Sequence, residues 1–218
     1  MSSRDVILGR VRRALADVPP DETPYELALP RTYLREHGER SVAQTVELLA
    51  ENLADYRAVV HRCATVPELS ALIAGLLAGR GARSVLVPPG LDEAWLAGTG
   101  ADVTRVADRA ESTAAELDRV DSVVTGCAVA IAETGTLVLD GSPDQGRRRI
   151  TLIPDHHICV VRVPDQVVGS VPQAVERLAP RRPLTWISGP SATSDIELDR
   201  VEGVHGPRTL EVVLLGGV

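Results

Sequence analysis

The sequence predicts an α/β layered domain built on a largely parallel sheet, with a helical arm in front of it. Three observations carry that prediction. From residue 41 onward, short β-branched runs alternate with stretches whose apolar residues recur at helical spacing, the pattern of βαβ units. Hydrophobic residues make up 44% and charged residues 24% of the 218 residues, ordinary values for one large globular domain or one domain plus an appendage. The longest apolar runs fall far short of the about 20 residues of a membrane span.

The elements follow in order. Ile7, Leu8, Val11, Ala14, Leu15 and Val18 share one helical face, Ser2 and Asp5 offer a capping-box-like start, and Pro19-Pro20 stops the helix. Pro24 and Pro30 continue a polar, extended stretch, so residues 1–40 read as an arm and 41–218 as the α/β domain. The arm either packs on its own domain or reaches a partner subunit. Val42, Val46, Leu49 and Leu53 mark a helix, and 56–61 a strand. A second helix spans 67–80, with Pro67 near its start, where the missing N–H costs little. Residues 83–87 form a strand ending at Pro88-Pro89-Gly90, then come a short helix at 91–96, a strand at 101–105 and a helix at 110–118. Residues 122–125, 129–132 and 135–139 are short β-like segments with little helical spacing between them. Strands at 149–153 and 158–163, a helix at 171–178, and strands at 184–188 and 209–215 complete the chain.

Charge and cysteine content exclude several functions. A net charge of −7 argues against non-specific nucleic-acid binding, and five aromatic residues offer little platform for base stacking. All 23 basic residues are arginine, so the chain can form no lysine Schiff base and carries no P-loop lysine. Cys63, Cys127 and Cys159 are widely spaced, with no CxxC and no metal-binding Cys/His spacing. Neither a metal nor an iron–sulfur cluster is expected on this chain, because a cluster needs a full set of close thiolates. An odd cysteine count in an acidic chain without a secretory pattern suggests reduced thiols and a cytoplasmic location.

Three segments are candidates for chemistry. In 130–139, Glu133-Thr134-Gly135-Thr136 lies between two β-like runs. Gly135 permits a tight backbone, the hydroxyls of Thr134 and Thr136 can face a ligand, and Glu133 is a candidate general base or nucleophile. The bland alternative is a strand bend with Glu133 tied to backbone N–H groups. In 152–158, His156 and His157 project to opposite faces if extended, which makes them poor joint metal ligands. One of them beside Asp155 would form an acid–base pair near neutral pH; otherwise one packs and the other is solvated. In 187–197, Ser188, Gly189, Ser191 and Thr193 follow a β-run directly, where open parallel sheets collect ligands at carboxyl ends of strands. They bind phosphate or carboxylate oxygens, or cap a helix. His205 and Arg208 then bring positive charge to a turn that can close over an anion. Arg147-Arg148-Arg149 reads as a solvated run or a phosphate contact, and Cys127 as a small buried thiol.

The runs AIAETGTLVL at 130–139, LIPDHHICVV at 152–161 and SGPSATSDIELDRVEGVHGPRTLEVVLL at 188–215 resemble the LUD-domain family, and within it the lactate-utilisation protein C group, LutC or YkgG. The resemblance covers residues 41 to 218. It implies a three-layer α/β/α Rossmann-like sheet of the NagB/RpiA/CoA-transferase type. It also implies a part in oxidation of L-lactate to pyruvate, with iron–sulfur proteins as partners. Glu133 would be the position to test for an acyl nucleophile, with His156 and His205 as further catalytic candidates. The leading expectation is a subunit or accessory protein that binds a small carboxylate, a phosphorylated ligand, a cofactor or a partner. The alternative is a free-standing enzyme of the CoA-transferase or sugar-phosphate isomerase kind.

Overall fold

The structure is a computed structural model, and it describes residues 3–17, 34–179, 181–193, 201–202 and 206–217. The chain forms two compact units, Met1–Tyr33 and Leu34–Val218. In the first, helix α1 spans Ser3–Ala14, with Asp5 in its first turn and Arg12 and Arg13 in its last, both favourable to the helix dipole. Val6, Ile7, Val11 and Leu15 are all exposed.

In the second unit, capping boxes set where helices begin. Ser41 and Gln44 cap α2 (Val42–Asp55) reciprocally. Thr65 caps α3 (Val66–Gly79), with Pro67 in its first turn. Thr113 and Glu116 cap the single-turn α4 (Ala114–Leu117), and Ser170 and Gln173 cap α5 (Val171–Arg177). The strands are β1 (Val59–Cys63), β2 (Ser84–Val87), β3 (Thr104–Ala107), β4 (Ser122–Thr125), β5 (Val129–Ile131), β6 (Thr136–Leu139), β7 (His156–Arg162), β8 (Val167–Val168), β9 (Thr185–Ile187), β10 (Ala192–Thr193), β11 (Val201–Glu202) and β12 (Thr209–Leu215).

The central sheet has the order β1-β12-β7-β4-β2-β3, and every pairing in it is parallel. Its middle strands are buried on both faces, which explains the nearly continuous apolar runs of β7 and β12. Alternate residues serve different layers. Cys159, Val161, Val212 and Leu214 pack against Val46, Leu49 and Leu53 of α2, while Ile158, Val160 and Val213 pack against Leu69, Ile73 and Leu77 of α3 and Trp95. Each fully buried leucine contributes about 1.5–3 kcal/mol. The α/β/α expectation is thus met, with an addition that the short β-like segments did not resolve. β5, β6, β8 and β9 form a second sheet of order β8-β5-β6-β9. One face of it, with Ala130, Leu137 and Leu139, shares the α2 core; the other, with Val129, Ile131 and Val138, packs on Ala174 of α5.

The 149–153 run is not the expected strand. Residues Arg148–Thr151 make a 3-10 turn, in which the Thr151 hydroxyl donates to the Arg148 carbonyl at 2.9 Å and Ile150 fills a core with Leu86, Leu117 and Val123. Tertiary burial of one isoleucine outweighs the β propensity of the segment.

Candidate functional site

The Glu133 and Ser188 segments meet at the C-terminal end of α2. Gly135 has φ 54°, and a Cβ there would stand 2.7 Å from the Asn52 carbonyl carbon. Gly189 has φ 80°, and its Cβ would stand 2.3 Å from the Tyr56 carbonyl oxygen. Both glycines therefore serve a left-handed turn pressed onto one helix end. The Asn52 amide fixes the first turn by donating to the Ala132 carbonyl at 2.7 Å. Hydroxyls then link the segments, with Thr134 Oγ1 2.8 Å from Thr136 Oγ1 and Thr136 Oγ1 2.8 Å from Ser188 Oγ.

Glu133 points elsewhere. Its carboxylate accepts from His37 Nδ1 at 2.8 Å and from Arg40 Nη1 at 2.9 Å. Partial burial pushes its pKa up, but the hydrogen bonds and charges of His37 and Arg40 outweigh this and hold it below the usual carboxylate range. It lines a shallow hollow with His37, Arg40 and Gln173, not the space beside Ser188. His37 and Arg40 escaped the sequence reading because no local pattern pairs them with a glutamate more than ninety residues away.

The two histidines take opposite faces of β7. His156 Nδ1 lies 2.8 Å from Ser122 Oγ, and its Nε2 stands 3.7 Å from Glu211 Oε1, too far for a hydrogen bond. The other Glu211 oxygen contacts His61 Nε2. His156, with His61 helping against burial, keeps the Glu211 carboxyl below its ordinary range. Asp155 is no partner of either β7 histidine. It accepts from the Arg208 backbone N–H and pairs with Arg208 Nε at 3.0 Å.

His157 has no exposed surface, and its Nε2 lies 2.8 Å from Thr125 Oγ1 while Nδ1 has no hydrogen-bond partner. Burial, with a smaller effect of His156, lowers its pKa to about 3, so the ring is neutral at physiological pH. An unpaired buried polar atom costs about 1–3 kcal/mol.

His157 lines a cleft of about 510 Å³ together with Ser188, Gly189, Ser191, Arg148 and Leu210. The cleft lies at the carboxyl end of β9, but His157 and Leu210 are the second residues of β7 and β12. Relative to the central parallel sheet, it is therefore an amino-end cleft. The carboxyl-end expectation fails because β9 pairs antiparallel with β6 in the second sheet. The cleft gathers Ser188, Gly189 and Ser191, whereas Glu133, His156 and the 65%-exposed Arg208 side chain are not among its lining residues. Thr193 is in β10, opposite Val201 of β11. His205 lies outside the described residues.

Cys63 and Cys159 belong to cores on opposite faces of the central sheet, so the thiols do not converge on one cluster. The Cys159 thiol and burial push the Cys127 thiol well above its ordinary pKa, which suits a packing residue and not a nucleophile. Among the described residues, no group of three or more His, Cys, Asp or Glu side chains is placed to hold a metal ion. Nor is any described helix long and apolar enough to cross a membrane.

Comparison with known proteins places this architecture. The LUD domain model matches residues 46–215. The chain is 46% identical to a lactate utilization protein C of Deinococcus radiodurans, over 96% of this chain and 94% of that protein. It is 31% identical to a lactate utilization protein C of Bacillus subtilis, over 50% of this chain and 48% of that one. The crystal structure of a DUF162 family protein from Deinococcus radiodurans superposes with a TM-score of 0.69 at 43% identity, covering 82% of this chain and 100% of that chain. On the extent of these matches, the chain belongs to the LUD domain family.

Proposed function

We propose that this chain is a cytoplasmic component of an L-lactate utilisation system, acting with iron–sulfur proteins in the oxidation of L-lactate to pyruvate. The observation that carries this reading is the 46% identity, over 96% of the chain, to a protein named for lactate utilisation. The chain's own residues suit a supporting role. Oxidising lactate releases electrons, and on this reading the iron–sulfur partners carry them; among the described residues no group of three or more His, Cys, Asp or Glu side chains is placed to hold a metal ion. Ligand contact belongs to the Ser188–Ser191 turn, where Ser188, Gly189 and Ser191 border the cleft and Thr136 braces Ser188.

A free-standing acyl-transfer or isomerase enzyme is the weaker reading. Its nucleophile would be Glu133, whose carboxylate is engaged by both His37 and Arg40. Deleting the gene in its source organism is the test. Loss of growth on L-lactate, with growth on pyruvate intact and restored by the reintroduced gene, is expected. Wild-type growth of the deletion strain on L-lactate would overturn the proposal.

A further inference from the structure

The β9 cleft has more room, and a different lining, than a three-carbon acid requires. Its volume of about 510 Å³ lies within the range of roughly 300–1,000 Å³ typical of pockets for drug-sized ligands. Its walls include Leu152, Ile187 and Leu210. Arg148 carries the sole formal charge among the described lining residues, and its guanidinium makes no hydrogen bond or ion pair with any described residue. Among the described lining residues there is no carboxylate to pair with a cation.

Two further polar positions belong to the lining. His157 is fully buried, its Nε2 is engaged by Thr125, and its Nδ1 is the ring atom left without a partner. The second lies on the backbone of β9, the edge strand of its sheet. Trp186 stands opposite Val138, whose carbonyl accepts from the Ala128 N–H on the far side of β6. In an antiparallel pair this directs the Trp186 N–H and C=O away from β6, to the edge of the described sheet, and Trp186 is a lining residue of the cleft.

We propose that this cleft binds an organic anion with an apolar body, its charged group held by Arg148 and a second, hydrogen-bonding group held at His157, whose Nδ1 lacks a partner. The idea rests on the proposed function only in taking the same cleft as the ligand site. An anion is selected because Arg148 has no partner among the described residues, and an apolar body because Leu152, Ile187 and Leu210 line the same cleft. Lactate fills only a small part of a cleft of about 510 Å³. The ligand is therefore a larger acid or phosphate ester that works alongside lactate.

The experiment uses the full chain and two fluorescent probes with the same rings. 1-Anilinonaphthalene-8-sulfonate carries a charge, and N-phenyl-1-naphthylamine lacks it. Trp186 borders the cleft and Trp95 is buried in the α3 core, so energy transfer from Trp186, lost in Trp186→Phe, reports binding at this site. We expect saturable binding of the sulfonate, about tenfold or more tighter than that of the neutral amine. Arg148→Gln, at an exposed position, should bring the sulfonate to the affinity of the amine and leave the amine unchanged. Excess L-lactate should not displace the sulfonate. Equal affinities, an unaffected Arg148→Gln variant, absence of saturable binding, or displacement by lactate would each overturn the proposal. Growth on lactate that depends on the gene, with failed probe binding, removes the ligand class alone. Probe binding as expected, with growth independent of the gene, removes the lactate reading alone.

Discussion

Replacing Gly189 with alanine tests the junction that joins the two candidate segments. Gly189 sits at φ 80°, where an L side chain costs about 1–2 kcal/mol. The new Cβ would lie 2.3 Å from the Tyr56 carbonyl oxygen and 2.8 Å from Tyr56 Cβ. The first of these neighbours is backbone, so the turn or the end of α2 must shift, and overpacking of that kind adds about 1–3 kcal/mol. The sum is about 2–5 kcal/mol. At about 2–4 °C per kcal/mol for a domain of this size, Tm should fall by about 4–20 °C. Gly75→Ala is the matched control. Gly75 is inside α3 with open space around its Cβ position, and alanine there should stabilise by about 0.5–1 kcal/mol. Thermal unfolding followed by circular dichroism reads both variants. A Gly189→Ala protein that melts at or above the wild-type temperature would refute the close-approach argument.

Other outcomes follow from the same geometry. The folded His157 pKa of about 3 lies below its ordinary value of 6.5, so the unfolded chain binds the extra proton first. The resulting stability is fully present above pH 6.5 and is lost towards pH 3, at up to about 1.4 kcal/mol per pH unit. Urea midpoints between pH 7 and 5, above the main carboxylate range, should therefore fall for wild type and stay flatter for His157→Gln; parallel slopes would contradict this. Glu133→Gln should cost no more than about 1 kcal/mol in urea unfolding, because His37 and Arg40 are substantially exposed partners. Growth of that strain on lactate should persist; its abolition with stability intact would favour the nucleophile reading. Ser188→Ala breaks one hydroxyl link to Thr136 and should cost about 1 kcal/mol, measured by the same unfolding assay. Leu53→Ala, at a fully buried α2 position, should cost about 2–5 kcal/mol.

Much of the fold was legible from residue order. Helical spacing around Val46, Leu49 and Leu53, the Thr65-Pro67 start of α3, and the doubly buried runs of β7 and β12 are local signals, and the structure uses them as such. Adjacent histidines on opposite faces likewise follow from the two-residue period of a strand. The family signal of 188–215 was also readable in the chain alone, and the LUD domain match bears it out. What residue order left open was which strand joins which sheet. β4 enters the central sheet while β5 and β6, a few residues later, turn into a second one, because pairing partners are chosen by long-range packing. That choice decided the candidate site. It turned Glu133 toward His37 and Arg40, sent His156 to Ser122 and Glu211, and put His157, not its neighbour, beside Ser188 and Arg148. A period-two pattern says that two neighbours differ in face; only the tertiary fold decides which face borders a cleft.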